Sequence, residues 1–120
     1  MAYDPDNIFA KILRGDIPCD KVYENDHVLA FRDINPQAPT HILVIPKGAY
    51  SDADDFTARA SQEEIAAFFK AVGDVARQEG IADQGYRIIS NCGHNGGQEV
   101  PHLHIHILGG RRLGRMVAAA

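Results

Sequence analysis

Val100-Pro101-His102-Leu103-His104-Ile105-His106-Ile107-Leu108 is the stretch whose reading decides the fold. Apolar and imidazole side chains alternate through it with period two, the pattern of a half-buried strand. Read as a strand over His102 to Leu108, it turns Leu103, Ile105 and Ile107 to the core. His102, His104 and His106 then share the opposite face. At a rise of about 3.3 Å per residue the three imidazoles would span roughly 13 Å.

Working outward, the segment just before it, Asn91-Cys92-Gly93-His94-Asn95-Gly96-Gly97-Gln98-Glu99, is a glycine loop. Such a loop can turn backbone amides onto an anion, or simply turn the chain. Tyr86 to Ser90 reads as a strand, and Ser61 to Glu79 as one long helix. Ser61 and Glu64 make a capping box, Ile65, Phe68, Phe69, Val72, Val75 and Ala76 an apolar stripe, and Gly80 a C-terminal stop. Further back, Lys21 to Glu24, Val28 to Phe31 and His41 to Ile45 read as strands, and Ile8 to Arg14 as a short helix capped by Asn7. Strands in a mostly consecutive group around one inserted helix predict an α+β fold. The expectation is a five-stranded antiparallel sheet with one long and one short helix in a single domain, 1–120. Its open edge could pair with a second copy.

The bulk properties narrow the function. A net charge of -4 and a pI near 5.8 offer no basic footprint for nucleic acid. The two cysteines, Cys19 and Cys92, form no CxxC pair, which favours a reducing compartment. The start lacks a basic segment followed by an apolar one, and runs such as Ile42-Leu43-Val44-Ile45 are too short for a bilayer. The expectation is a cytoplasmic protein that touches neither nucleic acid nor membrane.

Imidazole is substantially neutral, basic and nucleophilic near pH 7. Its nitrogen can attack phosphorus and form an N–P bond that water later breaks. Neighbouring imidazoles can supply protons or hold phosphoryl oxygens, and His41 is a fourth candidate for the group. Two other readings stay open: a polar sheet face, and a zinc site using the His-x-His pair.

Taken together these residues resemble the histidine triad family of nucleotide-binding proteins. Its signature, His-φ-His-φ-His-φ-φ with φ apolar, stands complete as His102-Leu103-His104-Ile105-His106-Ile107-Leu108. Gly109-Gly110-Arg111 after it resembles the Hint branch, as do Ile8-Phe9-Ala10-Lys11-Ile12, Phe31-Arg32-Asp33-Ile34, Pro36-Gln37-Ala38-Pro39-Thr40-His41 and Gly96-Gly97-Gln98. The resemblance implies a homodimer with a ten-stranded sheet. It implies hydrolysis of purine nucleoside phosphoramidates through a covalent nucleotidyl-histidine, with no metal or other cofactor required. His104 would be the nucleophile, His106 would lie by the phosphate and leaving group, and His41 and His102 would support the imidazole network. Asp33 would bind the ribose hydroxyls. Ile8, Phe9, Ile12, Phe31, Ile34 and Leu43 would line the base pocket, and Asn91, Gly97 and Gln98 would meet the ribose-phosphate side.

Without the resemblance, the apolar six read as ordinary core and Asp33 as a turn carboxylate beside Asn35-Pro36. Glu99 departs from the family, since animal members carry serine there, near the leaving group. Its carboxylate could face solvent, bind the substrate amine or repel phosphate. The chain also lacks the tryptophan that animal members place near the C-terminus, ending instead in Arg111 to Ala120. A regulatory nucleotide-binding module and a dinucleoside polyphosphate hydrolase are the competing functions.

Overall fold

Two neighbouring strands that are apolar on both faces belong in the middle of a sheet, and Val28–Arg32 and Thr40–Pro46 lie there. The computed structural model describes residues 2–118, so Met1, Ala119 and Ala120, the ends of the expected domain and tail, lie outside the described residues. In chain order the elements are α1 (Ile8–Leu13), β1 (Lys21–Glu24), β2 (Val28–Arg32), β3 (Thr40–Pro46), α2 (Ala53–Arg59), α3 (Gln62–Gln78), β4 (Tyr86–Ile89) and β5 (Ile105–Gly109). The strands form one antiparallel sheet in the order β1-β2-β3-β5-β4. This is the expected α+β architecture.

Alternation along the strands divides the core in two. Val28, Ala30, Ile42, Val44, Ile105 and Ile107 point to the face covered by α3, where they meet Phe68, Val72 and Val75. Leu29, Phe31, Leu43 and Ile45 point the other way and are covered by Phe9 of α1. Each of the larger side chains here, from valine to phenylalanine, contributes about 1.5–3 kcal/mol on burial. His41 and His106 lie on the α1 face. Leu43 pairs with His106 and His41 with Leu108, so the two histidines are diagonal neighbours.

The long helix forms as expected, with the Ser61–Glu64 capping box present and Glu79 as its C-cap. Phe69, placed in the buried stripe on sequence, is exposed instead, because one step of about 100° carries it past the face that Phe68 buries. α2 was not anticipated. It holds one large apolar residue, Phe56, so no helical period is visible. What forms it is the Asp52 side chain capping the Asp55 amide at 2.8 Å, and Phe56 stacked edge-on between Tyr50 and Phe68.

The histidine strand also differs from its expected extent: β5 starts at Ile105, not at His102. Pro101 has no amide to give, the His102 amide bonds the Val100 carbonyl, and the Leu103 amide bonds the Tyr50 carbonyl. Ser90, expected as the end of β4, donates its hydroxyl to the His104 carbonyl at 2.8 Å. His102 and His104 therefore stand on an irregular approach to the sheet, and only His106 is on the strand.

Gly109 and Gly110 follow from packing. A Cβ at Gly109 would come 2.9 Å from Ile81 Cδ1, and one at Gly110, where φ is 92°, would come 2.8 Å from Pro39. Arg111 then bonds the Gln37 carbonyl at 3.1 Å. The chain leaving β5 is thus clamped to the proline loop that delivers His41.

Candidate active site

The four histidines form one group joined by ring contacts and hydrogen bonds. His104 and His106 have centroids 5.1 Å apart, and His41 and His106 5.2 Å. Phe9 packs edge-on against the ring of His104 at 4.9 Å and that of His102 at 6.2 Å. The hydrogen bonds assign the tautomers. His41 Nδ1 accepts the Gln37 amide at 3.0 Å, so its proton is on Nε2, which donates to His106 Nδ1 at 2.9 Å. His106 therefore carries its own proton on Nε2. His104 Nδ1 donates to the His102 carbonyl at 2.8 Å, leaving Nε2 as a bare lone pair. His102 Nε2 donates to the Pro46 carbonyl at 2.9 Å, so its Nδ1 is the acceptor for the Tyr3 hydroxyl, also at 2.9 Å.

Burial depresses all four imidazoles below their ordinary range, because a low-dielectric surrounding disfavours the charged form. His106 is pushed furthest, down to about 4, by burial and then by repulsion from His104 and His41. The Asp33 charge works the other way on His41, His104 and His106 without reversing the direction. At neutral pH the group consists of uncharged imidazoles, the state a nitrogen nucleophile requires.

Asp33 serves two purposes. Oδ1 accepts the Asn35 amide at 2.8 Å, the turn bond expected of a carboxylate in this position, while Oδ2 lies 3.4 Å from His41 Nε2. Asp33, His41 and His106 each offer a ligand atom within 4.8 Å of the others.

The expected base-pocket residues are not all gathered. Phe9, Phe31 and Leu43 are buried together, with Ile12 at their margin. Ile8 is 44% exposed and Ile34 88% exposed, so these two present apolar surface to solvent.

In the glycine loop, three amides bond within the loop itself. Gly97 donates to the His94 carbonyl, Gln98 to the Gly93 carbonyl, and Gly93 to Gln98 Oε1. Gln98 Nε2 adds bonds to the carbonyls of Ser51 at 2.6 Å and Val100 at 2.9 Å. Gln98, expected at the ribose-phosphate side, is a buried staple of the loop; its side chain and its amide are both engaged within the protein. Asn91 bonds the Gly96 carbonyl at 2.6 Å, Gly97 sits at φ 75°, and Glu99 is exposed.

Sequence reasoning missed Tyr3, Ser90 and the Pro46 carbonyl. Tyr3 is 99 residues from His102, and no local pattern signals such a contact. A hollow of about 590 Å³ lies elsewhere, between residues 80–87 and 110–114, and none of the histidines lines it. The site is located by its chemistry, not by the size of a cavity.

An antiparallel sheet carrying neutral, mutually oriented imidazoles, one with an unshared Nε2, defines a protein equipped for histidine nucleophilic chemistry. The chain belongs to the HIT domain family, whose profile matches residues 14–113. It is 70% identical over 115 residues to a 13.2 kDa HIT-like protein of Azospirillum brasilense, covering 96% of this chain and 94% of that one. It is 50% identical over 113 residues to the purine nucleoside phosphoramidase of Escherichia coli (strain K12), covering 94% of each. Among solved structures, a HIT family hydrolase from Legionella pneumophila Philadelphia 1 superimposes with a TM-score of 0.84 at 42% identity, covering 91% of this chain and 96% of that one. No helix among the described residues is long and apolar enough to cross a membrane.

Proposed function

We infer that the protein hydrolyses purine nucleoside 5′-phosphoramidates, with His104 Nε2 as the nucleophile on phosphorus. The observation that carries this reading is the bare Nε2 of a neutral His104 whose other nitrogen is pinned at 2.8 Å to the His102 carbonyl. The likeness to a named purine nucleoside phosphoramidase supports the substrate class.

Attack by the Nε2 lone pair forms a P–N bond as the bond to the substrate amine breaks, and the amine leaves with a proton from solvent. Nδ1 keeps its proton and the ring becomes an imidazolium, stabilised by the His102 carbonyl. Water then attacks phosphorus and gives up a proton to solvent, the P–Nε2 bond breaks with its electron pair returning to Nε2, and the nucleoside monophosphate is released with the neutral ring restored. His106 Nε2–H donates to a phosphoryl oxygen as a neutral group, and His41 orients it. Asp33 Oδ2 accepts from the ribose hydroxyls. Ile8 and Ile34 cover the base at the margin of the Phe9, Phe31, Leu43 and Ile12 cluster, and Asn91, Gly97 and Glu99 border the ribose-phosphate. The reaction needs no metal or other cofactor, and the protein works in the cytoplasm. Tyr86, Ile88 and Ile89 on the unpaired edge strand β4, with Phe69 on α3, give a second copy apolar surface to cover, which supports a homodimer.

The test is release of AMP from adenosine 5′-phosphoramidate in excess EDTA, comparing wild type with His104→Ala. Turnover that survives EDTA and is lost in the variant is expected. Activity abolished by EDTA would favour a metal at Asp33, His41 and His106 and contradict this reading.

A further inference from the structure

Tyr3 belongs to no secondary structure element, yet its hydroxyl reaches the fully buried ring of His102. The two rings are 5.5 Å apart at a 56° tilt, so they meet through a hydrogen bond at 2.9 Å and are not stacked. The opposite nitrogen of His102 is held by the Pro46 carbonyl at 2.9 Å. The ring is thus suspended between one donor and one acceptor, and its own backbone carbonyl holds His104 Nδ1.

We propose that Tyr3 is a positioning residue: its hydroxyl satisfies His102 Nδ1, keeps that ring neutral and fixed, and so holds the His102 carbonyl against His104. The catalytic half of this inference rests on the reading of His104 as nucleophile; the state of the His102 ring does not.

The alternatives open to His102 without Tyr3 are poor. A proton on Nδ1 alone would leave the Nε2 lone pair facing the Pro46 carbonyl, two acceptors in contact. A neutral ring in the present tautomer would bury an unsatisfied nitrogen. Taking up a second proton keeps the bond to the Pro46 carbonyl but turns Nδ1 into a buried donor with no acceptor, and it places a cation beside His104, where the nucleotidyl-imidazolium must form. The titratable groups facing the ring are Tyr3 from the N-terminal segment and His104 from the approach to β5. Phe9 of α1 and Pro46 of β3 add an aromatic edge and a carbonyl.

The experiment compares wild type, Tyr3→Phe and Tyr3→Leu by ¹⁵N spectroscopy of the histidine rings across pH, with kcat and KM for adenosine 5′-phosphoramidate. In wild type the His102 Nδ1 resonance is expected to be that of a hydrogen-bonded neutral acceptor. In both variants it should shift to that of a neutral ring nitrogen without a hydrogen bond. kcat should fall by about tenfold, the scale of one hydrogen bond to a buried acceptor, with KM unchanged. Unaltered His102 resonances and kcat in Tyr3→Phe would overturn the proposal, including the case in which only Tyr3→Leu is impaired, which would make the residue mere packing. Absence of turnover in wild type would overturn the functional reading instead, and the ring spectrum would still decide the state of His102.

Discussion

His104 Nδ1 and the backbone carbonyl of His102 are 2.8 Å apart, and this bond decides which nitrogen of His104 can react. A carbonyl only accepts, so Nδ1 must carry the proton and Nε2 the lone pair. The bond exists because the chain is not yet a regular strand at His102, which leaves that carbonyl free of the sheet ladder.

The depressed histidines make stability pH-dependent. A group whose pKa is lower in the folded state favours folding above its unfolded value, and that contribution is lost as pH falls. With an unfolded value of about 6.5 and His106 near 4 in the fold, urea midpoints should be flat from pH 8 to about 6.5 and decline steadily below. A midpoint that held constant down to pH 4 would show that the imidazoles are not buried in the neutral form.

Gly110→Ala should destabilise by about 1–3 kcal/mol, because the backbone is left-handed there and the new Cβ meets Pro39. Gly109→Ala should cost less, since the end of the Ile81 side chain can give way, and Gly114→Ala least, in open space. Thermal melts of the three variants give the order directly; equal shifts would refute the packing argument.

Gln98→Ala removes one acceptor for the Gly93 amide and the donors to Ser51 and Val100. A loss of about 2–4 kcal/mol is expected from the buried groups left unsatisfied. Amide hydrogen exchange at Gly93 should accelerate with it. If affinity for AMP fell in this variant while stability and exchange stayed unchanged, Gln98 would be a ligand contact and not a staple.

Ile34 is 88% exposed, so Ile34→Ala should leave stability within about 0.5 kcal/mol of wild type. If the side chain covers the base, KM for the nucleotide substrate should rise several-fold with kcat little changed. An unaltered KM would remove Ile34 from the site.

Much of the fold was legible because its signals are periodic. The alternation at 102–108 located the histidines and the Leu103, Ile105 and Ile107 core side, and the Ser61–Glu64 box located α3. What stayed hidden depends on contacts between distant segments. α2 is held by one capping aspartate and one phenylalanine, which carry no period. The strand start at Ile105 depends on a bond from Leu103 to Tyr50, and the suspension of His102 on Tyr3 and Pro46, none of them near in sequence. The glycine loop shows the limit of composition: its glycines were visible, but not that the amides of Gly93, Gly97 and Gln98 would bond within the loop.

The most direct measurement is rapid-quench mass spectrometry of the enzyme during turnover of adenosine 5′-phosphoramidate. A transient adenylyl adduct on His104, formed and lost at rates compatible with kcat, is the predicted result. Turnover with no adduct, or an adduct on any other residue, would contradict His104 as the nucleophile.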